Sequence, residues 1–509
     1  MKSFAKILCI LLALMMLLPT LASCGDGGDD TTAPSAQTTA PKDEDETGRN
    51  AVKDNVPTDV SYGGEEVTFF QRDGSNLWKY EIACEDLIND KLYDAIHYRN
   101  IDVETRLGVK INVVRQTYTV NKADWDNTLS TSVLTNTGDY DGAAIYASQS
   151  SPLAKDGIFL DLNTVSQEYG NGYIELSKPW WNQTLVNELT AFGALYFLAG
   201  DALISNTAQG YCLFFNKDMF NERFPEDKAD NLYATVKDGT WTIDKLINYV
   251  SQVWDDLNSN GVIDDGDVMG WTAKGGTADG GMDAWMYAMN LNVTKTNEYG
   301  EPEISIIYDA NTVPAYELVK KLHTGNDGAY GSSGLDAKLT ETYFENGNVL
   351  FAKVYLDSGS NLRESTVTYG VLPLPKYNED QDNYRTIFCN NSSFFVLCSN
   401  LSEEKAEMMS AVLELLAATS YKQVTPTYYS TVLQGMYSKD QPDAEMYDLI
   451  LSSFVADFGL AYGTRSISNI NHLFRNVTAS YDIQSTIDSN KAAYEAALAS
   501  LLEALEAIA

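Results

Sequence analysis

The strongest constraint on the fold of this 509-residue chain is the run Tyr-Cys-Leu-Phe-Phe at positions 211–215. A continuous apolar run with no alternating polar residue predicts a strand that is buried on both faces. Asn216 follows the run directly and can cap a helix that begins near Lys217. A second apolar run at 195–198 precedes it, separated by a polar turn. A strand covered on both faces needs helices on both sides of its sheet, so the chain is expected to have an α/β fold.

Strands and helices alternate in the rest of the chain as well. Residues 67–70 and 109–114 are predicted strands, and the apolar spacing over 82–96 predicts a helix between them. Strands that alternate with helices indicate mostly parallel sheets flanked by helices. Further amphipathic helices are predicted at 243–257, 313–322, 402–418 and 494–508.

Three short motifs carry a resemblance to a known family. They are Lys-Pro-Trp-Trp at 178–181, Tyr-Phe-Leu-Ala-Gly-Asp at 196–201 and Phe-Asn-Lys-Asp at 215–218. In these segments the chain resembles the extracellular solute-binding proteins, family 1 type, of bacterial ABC importers. The resemblance implies a periplasmic-binding-protein-like fold of type II. In such a fold two lobes, each a mostly parallel sheet flanked by helices, are joined by hinge strands and close over a ligand.

The predicted lobes are discontinuous, because the chain passes from one to the other and returns. We place lobe 1 at residues 58–200 and 372–432, and lobe 2 at residues 201–371 and 433–509. Prolines 373 and 375 suit an extended hinge strand at the edge of a sheet.

The N-terminus has the features of a secretory signal. Lys2 and Lys6 precede an almost wholly apolar stretch at 7–18, which is too short to span a membrane. The following Leu-Ala-Ser-Cys resembles a bacterial lipobox, which implies removal of residues 1–23 and attachment of diacylglycerol and palmitate to Cys24. The protein would then be lipid-anchored on the extracytoplasmic face of the cell membrane. The alternative is an ordinary secretory signal that ends near a cysteine.

Residues 24–57 are rich in Gly, Thr, Pro, Asp and Glu and carry few large apolar side chains. Such a segment buries too little surface to fold, so it is predicted to be an acidic flexible tether. The formal net charge of the whole chain is −36. This excess of negative charge repels phosphates and argues against nucleic-acid binding.

Four cysteines remain beyond the predicted signal and Cys24, and none of them has the CxxC spacing. Each lies within an apolar pattern, which favours buried free thiols. A disulfide between Cys389 and Cys398 is the alternative. The four are Cys84, Cys212, Cys389 and Cys398.

Residues 256–267 have the spacing of a calcium loop. Oxygen side chains fall at positions 1, 3, 5, 9 and 12, with Gly261 at position 6 and an apolar anchor, Ile263, at position 8. Position 12 is Asp rather than Glu, so the loop resembles the dockerin type, entered by the helix at 243–257. We predict a structural Ca²⁺, with an acidic Asn/Asp/Gly turn that needs no metal as the alternative. The predicted ligands are Asp256, Asn258, Asn260, Asp264 and Asp267, with the Val262 carbonyl at position 7.

Ligands of open α/β sheets bind beyond the carboxyl ends of the strands. Applied to this chain, the rule selects polar and aromatic residues after predicted strands in both lobes. Most aromatic residues are packed in the interior of any domain, so each single assignment competes with a packing role. The candidates are Gln71, Arg72, Trp78, Tyr146, Ser148, Gln149, Trp271, Trp285, Tyr355 and Asp357.

No hydrolase elbow, zinc motif, phosphate loop or dinucleotide fingerprint is present, so we expect a binding protein and not an enzyme. The resemblance implies a monomeric receptor that captures a solute and delivers it to the permease of an ABC transporter. The 31 Tyr and 8 Trp residues suit carbohydrate, so an oligosaccharide is the predicted solute, with peptide or another organic solute as alternatives. A secreted carbohydrate-active hydrolase, with a dispersed carboxylate pair, and a surface adhesin or scaffold without a small-molecule ligand remain the other candidate functions.

Overall fold

The structure is a computed structural model, and it describes residues 48–118, 123–274, 280–332, 337–362, 365–430, 433 and 441–509. The predicted signal peptide, the lipidation site Cys24 and residues 24–47 of the predicted tether lie outside the described residues. In the described ranges, no helix is both long enough and apolar enough to cross a membrane.

The strands form two large sheets and one small hairpin. In chain order they are β1 (Glu65–Asp73), β2 (Val109–Thr117), β3 (Gly142–Tyr146), β4 (Tyr211–Asn216), β5 (Trp254–Asp255), β6 (Val268–Lys274), β7 (Thr294–Thr296), β8 (Pro302–Ile304), β9 (Ala329–Ser332), β10 (Val349–Tyr355), β11 (Tyr369–Leu372) and β12 (Ser393–Leu397).

The helices are mostly short and lie between the strands. In chain order they are α1 (Asn76–Tyr80), α2 (Lys91–Leu107), α3 (Ala123–Leu134), α4 (Pro152–Lys155), α5 (Gln183–Leu189), α6 (Ser205–Ala208), α7 (Lys217–Arg223), α8 (Lys228–Lys237), α9 (Ile243–Val250), α10 (Asp283–Ala288), α11 (Thr312–Thr324), α12 (Ala337–Glu345), α13 (Glu403–Lys422), α14 (Val424–Pro426), α15 (Gln441–Ser452), α16 (Phe458–Tyr462) and α17 (Ile483–Glu506).

The first sheet has the strand order β12-β3-β1-β2. β1 is parallel to both β2 and β3, because α2 and α3 carry the chain back across the sheet, whereas β12 is antiparallel to β3. The register places Ser393 opposite Tyr146, so these two residues lie at the same end of the sheet. We call this sheet and its helices the first half.

The second sheet has the order β11-β4-β10-β6-β5, with β9 also paired to β6. β10 is parallel to β6 and β6 is parallel to β9, while β4 is antiparallel to both β10 and β11. Every residue of β4 is buried, as the apolar run at 211–215 predicts. The Asn216 side chain caps α7 by accepting the Met219 N–H at 3.0 Å, as predicted. We call this sheet and its helices the second half.

Two segments of chain run side by side between the sheets. The first leads from Leu198 to β4, and the second leads from β11 to β12. Leu198 exchanges backbone hydrogen bonds with Phe395 at 3.0 and 2.8 Å, and the Cys389 N–H donates to the Gln209 carbonyl at 2.9 Å. The two sheets are therefore joined by paired crossing segments, while the predicted lobe boundaries themselves stay predictions.

Two sequence-based expectations differ from the structure. The predicted helix 243–257 ends at Val250, because Trp254 pairs with Met269 in a short antiparallel ladder, and Leu257 is 64% exposed. Part of the predicted tether packs against the first half: residues 52 and 54–56 are partly or fully buried, whereas 48–51, 53 and 57 are exposed. Val56 is buried, and the Asp54 carboxylate accepts two N–H groups of Arg106 at 2.8 and 2.7 Å.

Candidate functional site

Arg72 lies at the carboxyl end of β1, between two aromatic rings. Its guanidinium carbon is 4.7 Å from the centre of the Trp78 ring and 5.0 Å from that of Tyr146. Its Nη2 donates to the Ser393 hydroxyl at 2.8 Å, and the side chain is 1% exposed. Cation–π contacts gain strength when the cation is desolvated, so this arrangement fixes the guanidinium at the end of the sheet.

Glu81 provides the counter-charge for Arg72. The Ser393 hydroxyl donates to its carboxylate, so Ser393 links the guanidinium to the carboxylate, and Glu81 is fully buried. Burial raises the pKa of Glu81, and the Arg72 charge acts in the opposite direction. We call Arg72, Trp78, Glu81, Tyr146 and Ser393 the Arg72 cluster. Two of these, Glu81 and Ser393, were not among the predicted site residues.

Tyr146 connects the Arg72 cluster with residues of the second half. Burial is the main cause that raises the pKa of the Tyr146 hydroxyl, and Arg72, Arg475 and Asp283 are close enough to act on it electrostatically. The Arg475 Nε donates to the Asp283 carboxylate at 2.6 Å, and both side chains are buried. Charges from both halves therefore act on one phenol group.

The loop after β3 carries the predicted residues Ser148 and Gln149. Its backbone is held by the second crossing segment, since the Ala147 N–H donates to the Ser392 carbonyl at 3.0 Å and the Ser148 N–H to the Asn390 carbonyl at 3.3 Å. Ser148 is fully buried. The loop and the crossing segment thus meet beside the Arg72 cluster.

On the second half, Tyr355 lies at the end of β10 and contacts Tyr211, with ring centres 5.0 Å apart. The Tyr211 hydroxyl donates to the Cys389 sulfur at 3.3 Å, and the Tyr355 hydroxyl lies 3.4 Å from the same sulfur. Sequence patterns did not select Tyr211 or Cys389, because both lie inside apolar runs that predict packing. Cys84, Cys212, Cys389 and Cys398 are buried and form no disulfide with one another, as predicted.

Asp357 lies two residues after the end of β10. Burial raises the pKa of its carboxyl to about 7, and the Glu341 charge acts in the same direction. Glu341 itself accepts the Ser358 hydroxyl at 2.6 Å and the Asn361 amide at 2.9 Å. An aspartate with this pKa carries a proton for part of the time at neutral pH, so it can act as both donor and acceptor.

Trp271, on β6, and Trp285, on α10, form a separate aromatic group. Their ring centres are 6.0 Å apart, and both rings meet His323 edge-on, at 5.5 and 5.9 Å. Both tryptophans are 0% exposed. We call these three residues the indole cluster. The structure places it in the interior of the second half, so contact with a solute requires these rings to become accessible.

Several buried polar atoms near the Arg72 cluster have no hydrogen-bond partner among the described residues. They lie at the end of β1, on α1, in the loop after β3 and on the two crossing segments. Buried polar groups are nearly always paired, so these atoms have bonding capacity that polar atoms of another molecule can use. The atoms are Gln71 Oε1, Arg72 Nε, Trp78 Nε1, Ser148 Oγ, Gln209 Oε1 and Asn391 Oδ1.

The predicted calcium loop is held by its own backbone. The Asp256 carboxylate accepts the N–H groups of Asn260 at 3.1 Å and of Gly261 at 2.7 Å. The Asp267 carboxylate, which is buried, accepts the Leu257 N–H and the Trp254 indole N–H, both at 3.0 Å. These bonds are typical of an Asn/Asp/Gly turn.

The side-chain amides of the loop face Asp264 with nitrogen, not oxygen. The Asn258 and Asn260 amide nitrogens donate to the Asp264 carboxylate at 2.9 and 2.6 Å. Hydrogen bonds from the Gly266 backbone and from these two amides lower the pKa of Asp264. Both amides have to rotate before their oxygens face a cation. Across the described part of the chain, no group of three or more His, Cys, Asp or Glu side chains is arranged to hold a metal ion.

No protein-family model matches the chain, and no curated protein matches it in sequence. Solved structures do match its fold. The ABC substrate-binding protein Lmo0181 from Listeria monocytogenes, in complex with cycloalternan, is 14% identical with a TM-score of 0.52, covering 87% of this chain and 99% of that one. A cyclo/maltodextrin-binding protein complexed with maltotetraose is also 14% identical with a TM-score of 0.52, over 87% of this chain and 97% of that one.

A third match is an ABC transporter solute-binding protein from Agrobacterium radiobacter K84 in complex with ribitol. It is 12% identical with a TM-score of 0.51, covering 87% of this chain and 99% of that one. These likenesses extend over nearly the whole of each neighbour, so they concern the complete architecture and not one lobe. They confirm the predicted two-lobed, periplasmic-binding-protein-like α/β fold. This chain therefore has the fold of the solute-binding proteins of ABC transporters.

Proposed function

We propose that this protein is a lipid-anchored extracytoplasmic receptor of an ABC importer, which captures a carbohydrate between its two halves and delivers it to a membrane permease. The observation that carries the proposal is the group of buried, unpartnered polar atoms beside the aromatic rings of the Arg72 cluster. We infer that the protein binds its solute without chemical change and is not an enzyme.

The chemistry of the Arg72 cluster suits a polyhydroxylated solute. Sugar rings present apolar C–H faces that pack on aromatic side chains, while their hydroxyls both donate and accept hydrogen bonds. Trp78 offers such a ring together with an indole N–H, and Gln71 and Ser148 offer oxygens. The three solved neighbours were bound to cycloalternan, maltotetraose and ribitol, all of them polyhydroxylated.

Capture follows from a shift between open and closed arrangements. A solute that contacts both halves stabilises the closed arrangement by as much as its affinity for that arrangement exceeds its affinity for the open one. The Arg72 cluster supplies contacts from the first half, and Tyr211, Tyr355 and Asp357 supply them from the second. The paired crossing segments form the hinge.

Isothermal titration calorimetry and thermal shift against maltotetraose, cycloalternan, ribitol and a set of other glycans and peptides test this function. We expect saturable binding of at least one glycan, a higher melting temperature with it and no cleavage products after long incubation. Release of shorter sugars would instead indicate a hydrolase. Binding of peptides alone would contradict the carbohydrate assignment.

The lipid anchor and the delivery of solute to the permease are tested separately. Mass spectrometry of the mature protein is expected to find a diacylglyceryl-modified Cys24 at the N-terminus, and an unmodified cysteine would contradict the anchor. Reconstitution with the permease is expected to give ATP hydrolysis that depends on both receptor and solute.

We further propose that the loop 256–267 binds a structural Ca²⁺. The proposal rests on the spacing of the oxygen-bearing residues, and it requires the amides of Asn258 and Asn260 to rotate. Calorimetry with CaCl₂ is expected to show binding that Asp256→Ala abolishes. The absence of a calcium signal in the unchanged protein would leave the loop as a turn without metal.

A further inference from the structure

Arg465 holds the loop after β3 by an ion pair and a backbone contact. Its Nη1 donates to the Gln149 carbonyl at 2.7 Å and to the Asp126 carboxylate at 2.9 Å. The Ser150 hydroxyl donates to the other oxygen of Asp126 at 2.7 Å. A single guanidinium thus fixes both the loop that carries Ser148 and Gln149 and the helix α3 behind it.

The segment 457–475, which bears Arg465, is bonded to the second half through its first residue, Asp457. Asp457 accepts the Tyr287 hydroxyl at 2.8 Å and the Val293 N–H at 2.6 Å, and it caps α16 through the Leu460 N–H at 2.8 Å. Because buried charge-assisted bonds of this kind are costly to break, Asp457 fixes the start of the segment 457–475 to α10 and β7. The Tyr462 ring of the same segment also contacts Phe197 of the first half, with ring centres 5.5 Å apart.

The end of the same segment is also tied to the second half. Arg475 forms a buried ion pair with Asp283 on α10, and α10 contributes Trp285 to the indole cluster, which packs on β6. Between these two anchors, the Ala461 carbonyl accepts the Ser151 hydroxyl at 2.8 Å. The segment therefore reaches from the second half to the loop of the first half.

We propose that Arg465 is a positioning residue for solute capture, which ties the loop after β3 to the segment 457–475 and so favours the closed arrangement of the two halves. It acts through the Gln149 carbonyl and the Asp126 carboxylate and does not touch the solute. The benefit for capture rests on the proposed function, whereas the effect on closure is a property of the free protein.

Spin labels on the two halves test the effect on closure. Tyr169 and Tyr299 are among the most exposed aromatic residues, on the first half and in the β7–β8 turn, and the described native cysteines are buried, so Tyr169→Cys and Tyr299→Cys can be labelled selectively. Double electron–electron resonance measures the distance between the two spin labels. In the free protein, we expect this distance to be longer in Arg465→Gln than in the otherwise unchanged labelled protein. Because the pair is partly exposed, we expect the closed fraction to fall by about two- to fivefold.

Arg106→Gln is the matched control. Arg106 is 33% exposed and Arg465 43% exposed, and Arg106 also contacts one carboxylate, Asp54, and one backbone carbonyl, that of Val56, but within the first half alone. Arg106→Gln is expected to leave the label distances unchanged. Arg465→Lys keeps the charge and is expected to restore most of the closed fraction.

With maltotetraose as the probe, Arg465→Gln is expected to raise the dissociation rate by the same factor as it lowers the closed fraction. Its melting temperature is expected to be no lower than that of Arg106→Gln. Unchanged distances in Arg465→Gln, or equal shifts in both variants, would overturn the positioning role. Failure of every glycan to bind would count against the proposed function, while the label distances would still decide the role of Arg465.

Discussion

The Arg72 cluster and the indole cluster are both built from aromatic rings around a basic side chain, yet they occupy opposite environments. In the Arg72 cluster the guanidinium is linked through Ser393 to Glu81, and several neighbouring polar atoms have no partner among the described residues. In the indole cluster, Trp271 and Trp285 pack edge-on against His323 in the interior of the second half. The indole N–H groups of Trp271 and Trp285 also have no partner among the described residues, so the two clusters differ in access: Trp78 is partly exposed, whereas both rings of the indole cluster are wholly enclosed.

Residue type alone therefore does not identify a residue that binds solute. Trp78 and Trp285 are both candidates under the same rule, which looks for aromatic and polar residues beyond strand ends. Trp78 contacts a charged group at the end of a sheet, whereas Trp285 lies on α10 and is wholly enclosed. The comparison predicts that mutations in the indole cluster lower stability, and that mutations in the Arg72 cluster lower solute affinity in addition to any effect on stability.

The largest effect on stability is expected from Trp285→Ala. Removal of a fully buried indole leaves a cavity, which typically costs about 3–5 kcal/mol of unfolding free energy. Urea denaturation measures this loss. If the variant stays as stable as the unchanged protein but loses solute binding, the ring contacts the solute and the comparison fails.

Arg72→Met is expected to cost about 3 kcal/mol at neutral pH, because Glu81 then stays buried without its counter-charge. Burial raises the pKa of Glu81 in the folded state above its unfolded value, so the variant's stability is fully present at low pH and is lost as the pH rises. Denaturation curves at pH 5 and pH 8 measure this slope. Adding Glu81→Gln should remove most of it, and a loss independent of pH would contradict the pairing.

Trp78→Ala tests whether the Arg72 cluster contacts the solute. We expect solute affinity to fall by about 1–2 kcal/mol, since a partly exposed ring at the binding surface contributes more to binding than to folding. Tyr80→Ala is the control, because Tyr80 lies on the same helix but contacts Tyr93 and not Arg72. Calorimetry with the identified glycan should separate the two variants, and equal losses would argue against a site at Trp78.

The smallest effect is expected from Asp357→Asn. Burial raises the pKa of Asp357 from 3.8 to about 7, so its contribution to stability is present below pH 4 and declines as the pH rises through 7. Because the side chain keeps some exposure, we expect the variant to gain only about 1 kcal/mol relative to the unchanged protein between pH 5 and pH 8. Thermal unfolding across this range measures it. A parallel pH profile in both proteins would show that Asp357 ionises normally.

Part of the candidate site could be predicted from the sequence, because strand ends are visible as the limits of apolar runs. Arg72, Tyr146 and Gln149 were found in this way, and the structure places them near one another. Glu81, Ser393 and Cys389 could not be found, since their roles depend on the second crossing segment returning beside β3, more than 200 residues later in the chain. Local sequence patterns do not predict contacts between residues that are so far apart in the chain.

By itself, the sequence determined the α/β class, the buried strand at 211–215, the cap at Asn216 and the burial of the four described cysteines, because each follows from side-chain properties over a few neighbouring residues. Only the tertiary structure decided where the helix at 243 ends, that Trp271 and Trp285 are enclosed, and that Arg465 reaches the loop after β3. These outcomes depend on competition between distant partners for the same side chain or backbone group. That competition is settled by packing in three dimensions and leaves no periodic trace along the chain.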